Sequence, residues 1–197
     1  MSASSGSRSS TIPAILGGLA LVAALGIVAL LALVAYFVYV LQSGGGGMDP
    51  AMAGLAVGKP APAIAADAWV NSEPSSLDGK VVVVHGWFYN CPYCWEEAPH
   101  VAALQKKYGD RVAFVSLTTD GVEDRELVEE FVAEGGLTHP VGYGQEAALT
   151  LMQGFEATAF PVVWVVGSDG QVVWNRSLEG EQSLEEAIEA ALGEESA

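Results

Sequence analysis

The only two cysteines of the chain, Cys91 and Cys94, stand two residues apart in the stretch VVVVHGWFYNCPYCWEEAPH, residues 81–100. A thiol pair at this spacing can staple a fold, hold a metal or exchange electrons. As a staple it closes so short a loop that it removes little chain entropy. A zinc site needs four ligands, and beyond the two thiols the sequence offers His85, His100 and His139 with no second Cys-x-x-Cys. Covalent haem attachment requires histidine directly after the second cysteine, where Trp95 stands. Redox exchange needs one exposed sulfur with a lowered pKa and a second sulfur able to attack the resulting mixed disulfide. A strand ending just before Cys91 and a helix opening at Pro92 supply both. Cys91 then lies over the helix N-terminus, where unpaired N–H groups and the helix dipole favour its thiolate. Cys94 lies one turn in, on the same side and less exposed.

The elements that position this pair are legible in the pattern of apolar residues. Val81 to His85 reads as a strand buried on both faces, and Pro92 suits the first turn of a helix. That helix carries Ala98, Val101, Ala102 and Leu104 toward Tyr108, with Pro99 as a kink. RVAFVSLTT (111–119) is a second buried strand. VEDRELVEEFVAEGG (122–136) is an amphipathic helix with Leu127, Val128, Phe131 and Val132 on its apolar face, ended by Gly135-Gly136. A shorter helix is expected from Gln145 to Met152. PVVWVVGSDGQVVWN (161–175) is a hairpin about a tight Asp-Gly turn. SLEEAIEAAL (183–192) is a terminal helix, capped by Ser183 with Glu186 completing a capping box. The order β-α-β-α-(α)-β-β-α defines an α/β domain with a mixed sheet and helices on both faces.

Ahead of this domain, no charged residue occurs from Ile12 to Leu41, a run longer than the ~20 residues that span a bilayer as a helix. A cleaved signal would have an apolar region about half this length and a small-residue cleavage site; here VAYFVYVLQSGGGG follows, with tyrosines at the interfacial level. The sequence therefore divides into a tail at 1–11, one N-terminal transmembrane anchor at 12–42, a glycine-rich linker at 43–54 and a domain at 55–197. All 24 acidic residues and seven of the eight basic ones lie at or beyond Asp49. Such a surface repels nucleic acid and anionic lipid. Arg8 is the only charge flanking the N-terminal side of the anchor, which by the positive-inside bias places the N-terminus in the cytoplasm and the domain outside.

With these residues in place, the chain resembles the thioredoxin-like fold, and most of all the membrane-anchored TlpA/ResA type of thiol-disulfide oxidoreductase. The resemblance runs from about Val57 to Leu192 and rests on GKPAP, GKVVVVHGWFYNCPYCWEEAP and FPVVWVVGSDGQVVW. Trp87 stands at the family's tryptophan before the active site, Pro99 at its helix-kinking proline and Glu97 at its active-site glutamate. Pro161 matches the family's cis-proline, which implies that it faces the cysteine pair and that the Phe160 backbone pairs with the substrate chain. There are departures. Asn90 replaces a tryptophan, Trp95 replaces a basic residue, Pro92-Tyr93 is the pair typical of glutaredoxins, and Phe160 is bulkier than the usual threonine or valine. The domain is nonetheless too large for a simple glutaredoxin, and around Gly136 to Gly154 it carries an insertion that resembles the TlpA type.

The resemblance implies an enzyme in which Cys91 is the nucleophile and Cys94 resolves. Phe160, Pro92, Tyr93 and Trp95 would border the substrate, and no cofactor or metal is implied. Partners would be protein thiols and disulfides, an upstream membrane dithiol donor and the lipid bilayer, with the catalytic domain in a periplasmic or other extracytoplasmic space. Reduction of protein disulfides, as in cytochrome c maturation or thiol repair, is the first reading; a dithiol oxidase of the same fold is the second. A peroxiredoxin-like peroxidase would share the GKPAP opening but needs Thr-x-x-Cys, and Tyr89-Asn90 precedes Cys91 without such a threonine. His85 occupies the position of a buried acid in thioredoxins, so it is expected to take the Cys94 proton near neutral pH.

Overall fold

The computed structural model describes residues 25–38, 54–176 and 182–194. The chain divides into two units, residues 1–46 and 47–197. In the first, residues 25–38 form a helix, α1. Among the described residues no helix is long and apolar enough to cross a membrane. The remainder of the expected 12–42 anchor, the 1–11 tail and nearly all of the 43–54 linker lie outside the described residues.

The second unit is built on a six-stranded sheet. Its strands are β1 (Ala68–Val70), β2 (Val81–Trp87), β3 (Val112–Thr118), β4 (Val141–Tyr143), β5 (Val162–Val166) and β6 (Val172–Asn175), in the order β1-β4-β3-β2-β5-β6. β2 runs parallel to β3 and antiparallel to β5, and all seven of its residues are buried. Its valines divide between two cores, as the two-residue period of a strand requires. Val81 and Val83 pack with Val101 and Leu104 of α2 (Pro92–Tyr108) and Ile188 of α5 (Leu184–Glu194). Val82 and Val84 pack on the opposite face with Leu117, Leu151, Phe155 and Trp164. Fully burying each such side chain contributes about 1.5–3 kcal/mol, so this strand is the fixed base for whatever follows Trp87.

The expected hairpin is present: β5 and β6 pair antiparallel across a turn in which Gly170 has φ +81° and donates to the Gly167 carbonyl at 2.9 Å. The capping box is present as well, with the Glu186 N–H donating to Ser183 Oγ at 3.2 Å and the Ser183 N–H to Glu186 Oε2 at 2.8 Å. Other elements differ from expectation. The 122–136 segment opens with one tight turn, Val122–Asp124, before α3 (Arg125–Glu134), and Leu127 lies on the exposed side, leaving Val128, Phe131 and Val132 as the buried stripe. The helix expected from Gln145 to Met152 is a short α4 (Gln145–Leu149) continued by a π turn over Thr150–Gly154. β1 and β4 were not anticipated, because three residues are too few to show a strand period.

Candidate active site

β2 ends at Trp87, and the chain turns through Phe88–Asn90 into α2. Pro92 occupies the first turn, where its missing N–H is no loss. Cys91 is the N-cap residue, with extended backbone (φ −98°, ψ 104°), and its sulfur stands where a capping oxygen usually does, accepting from the Cys94 N–H at 3.1 Å. The Cys91 carbonyl accepts from the same N–H at 3.0 Å. Cys91 and Cys94 are joined by a disulfide, with their Cα atoms 5.2 Å apart. The helix end that would stabilise a thiolate therefore already donates to the Cys91 sulfur.

The expected exposed sulfur is not found in this oxidised form. Cys91 is 3% exposed and Cys94 fully buried. The cause is an aromatic collar: Trp87 and Phe131 belong to the same cluster as both cysteines, and Phe88, Tyr89, Trp95 and Phe160 pack against it. Trp87 stacks on Phe131 with ring centroids 3.6 Å apart, and Trp95 meets Phe131 edge-on at 4.6 Å. Trp95 is further tied down by its Nε1–H, which donates to the Tyr89 carbonyl at 2.8 Å. Tyr89 in turn is fixed by its N–H on Asp120 Oδ2 at 2.9 Å and by its hydroxyl on Glu130 at 2.9 Å. Of the four residues expected to border a substrate, Pro92 and Tyr93 are exposed while Trp95 and Phe160 are half-buried. The sequence carries no sign that Tyr89, Asp120 and Phe131 belong to the site; nothing in their spacing relative to Cys91 marks them.

The Phe160–Pro161 peptide is cis. Phe160 packs edge-to-face on Phe88 at 5.6 Å, bringing this loop to the collar. Gly86 makes the approach possible: a Cβ there would lie 2.6 Å from Val162 Cγ2, 2.8 Å from Leu151 Cδ2 and 3.4 Å from Phe160 Cε1. A side chain on that face of β2 would push apart the strand, the π turn and the Phe160 loop.

His85 is buried in β2, its Nδ1 3.1 Å from Ser116 Oγ, and the same hydroxyl lies 2.7 Å from Nε2 of the buried His139. Ser116 is the register partner of His85 on β3. Burial first, then the neighbouring His139 and Arg176, pushes the His85 pKa down to about 3; burial alone takes His139 to about 4. The expectation that His85 titrates near neutral pH is therefore corrected. Desolvation outweighs any benefit of its charge, and at neutral pH it is an uncharged imidazole. Glu97 is also buried, 7% exposed, and forms an ion pair with Arg176, while His100 Nδ1 lies 3.6 Å from its Oε1. Arg176 went unnoticed in the sequence because 79 residues separate it from Glu97. Ser116 is a polar residue set between the apolar Val115 and Leu117 of β3, and that placement is its signal in the sequence.

Comparison with known proteins agrees with this geometry. The family model described as Redoxin matches residues 56–192. The thiol-disulfide oxidoreductase ResA of Oceanobacillus iheyensis is 26% identical over 99 residues, half of this chain and half of that protein. Protein SUPPRESSOR OF QUENCHING 1, chloroplastic, of Arabidopsis thaliana is 28% identical over 133 residues, 63% of this chain. The chain spans only 12% of that plant protein's length. Among solved structures, the solution structure of a thioredoxin-like protein in its oxidized form aligns with a TM-score of 0.59 at 27% identity, covering 69% of this chain and 96% of that one.

Proposed function

The chain belongs to the Redoxin family, and from that membership we propose that it is a thiol-disulfide oxidoreductase that reduces protein disulfides. The observation carrying this reading is the Cys91–Cys94 disulfide at the N-terminus of α2, with the Cys91 sulfur held by a helix N–H. In the reduced enzyme, the Cys91 thiolate attacks one sulfur of a substrate disulfide. The substrate S–S bond breaks, its other sulfur leaves as a thiolate and takes a proton, and a Cys91–substrate disulfide forms. Deprotonated Cys94 then attacks the Cys91 sulfur, expelling the second substrate thiol. Two electrons pass to the substrate and the enzyme is left in the bonded form seen here. A membrane dithiol donor upstream returns it to the dithiol.

The Phe160 backbone beside the cis-proline would pair with the substrate chain, and Pro92 and Tyr93 would meet it at the surface. The full chain should catalyse reduction of insulin by dithiothreitol, read as precipitation of the released chain. A rate equal to the uncatalysed one would refute the reading.

Placement is part of the same proposal. The uncharged run 12–41 and the lone Arg8 support a tether with the catalytic domain outside the cytoplasm. Protease added to intact spheroplasts should then digest the domain. Full protection until the membrane is broken would contradict it.

A further inference from the structure

Eight basic residues face 24 acidic ones in this chain, so where a cation sits is informative. Lys107 and Arg125 pair with exposed carboxylates, contacts that contribute little. Arg176 instead pairs with the buried Glu97. The buried face of α2 is formed by Cys94, Glu97, Ala98 and Val101, so Glu97 follows Cys94 by one helical turn on the same side. Arg176 is delivered to this point by a rigid support. Its own N–H donates to the Val163 carbonyl at 3.1 Å, and the neighbouring Asn175 is buried with its Nδ2 donating to the Leu55 carbonyl at 2.9 Å. Val163 is in turn the register partner of His85.

We propose that Arg176 is a positioning residue that clamps the Glu97 carboxylate one turn behind Cys94 and so sets how readily the dithiol ionises. A buried carboxylate near a forming thiolate is a like charge that opposes it. The guanidinium cancels that opposition and fixes where the carboxylate stands. The other groups facing Glu97 and the pair do not replace it: His100 is on α2 at the outer side of Glu97 with a half-exposed side chain, and His85 on β2 is buried and neutral. The charge of Arg176 also reaches His85 and helps keep that imidazole uncharged.

This inference rests on reading Cys91 and Cys94 as a cycling dithiol, and its test is independent of turnover. Thiol ionisation is followed by thiolate absorbance against pH on the reduced full chain, whether or not that chain reduces insulin. Arg176→Met should raise the first thiol pKa of the pair by half a unit or more, about a threefold loss of thiolate below that pKa. Arg176→Lys should restore most of it. Glu97→Gln should shift the pKa the other way, because the guanidinium is left unopposed, and the double variant should return close to wild type. A purely structural role for Arg176 would lower stability without this compensating pattern. An unmoved thiol pKa in Arg176→Met would overturn the proposal, as would a double variant that keeps the full Arg176→Met shift. If Arg176→Met does not fold, Glu97→Gln decides: no downward shift there overturns it equally.

Discussion

Cys94→Ser should accumulate partner proteins as mixed disulfides through Cys91, whereas Cys91→Ser should trap none and lose exchange activity by about three orders of magnitude or more. The asymmetry follows from position. Cys91 caps α2, so its sulfur receives the helix N–H and the positive end of the dipole. Cys94 is fully buried behind it and can reach only a sulfur already bonded to Cys91. Without Cys94 the first step proceeds and the second stops; without Cys91 nothing begins. The assay is non-reducing electrophoresis of thiol-quenched samples, followed by identification of the trapped chains. Equal trapping by both variants would reverse or abolish the assignment.

Acidification should weaken the fold before the carboxylates titrate. His85 and His139 have pKa values near 3 and 4 in the folded chain because burial disfavours their charged forms, against an unfolded value of about 6.5. Between about pH 6.5 and 4 the unfolded state therefore binds protons that the folded state does not. Stability rises with pH through this window and is lost as pH falls through it. Each histidine contributes a slope approaching 1.4 kcal/mol per pH unit, so the pair should cost roughly 3–4 kcal/mol between pH 7 and pH 5. That is a large share of the 5–15 kcal/mol typical of a domain. Urea unfolding at the two pH values measures it. His85→Gln, which keeps a polar partner for Ser116, should cut the pH 7 to pH 5 loss by about half. An undiminished loss in that variant would show that His85 is not one of the groups responsible.

The parts of this molecule that were legible in its sequence are those with a local signature. Val81–Val84 announce a buried strand by being β-branched without interruption, Asp169-Gly170 announce a turn, and Ser183 with Glu186 announces a cap; all three are found. The cysteine pair was legible because its chemistry lies in a four-residue spacing. What failed depends on distance along the chain. β1 and β4 exist because β1 pairs with β4 and β4 with β3, not because AWV or VGY prefers to be extended. The near-closure of Cys91 comes from Phe131 and Phe160, 40 and 69 residues away, and the ionisation of His85 is set by what buries it and by His139. A histidine in isolation reads as a switch near neutral pH; inside this sheet it is held neutral. The Glu97–Arg176 pair is likewise invisible until the β5–β6 hairpin brings the end of β6 beside α2.

The central claim is that Cys91 and Cys94 form a reversible two-electron couple rather than a fixed staple. Equilibrating the full chain with graded dithiol or glutathione buffers, and counting free thiols after acid quenching, tests it most directly. The expected result is one transition releasing two thiols together, at a potential in the window of roughly −270 to −120 mV occupied by exchange enzymes. A value near the lower end suits the reductase proposed here, and one near the upper end would turn it into an oxidase. A disulfide that stays closed until well below about −300 mV would contradict the account, because the pair would then be a structural bond.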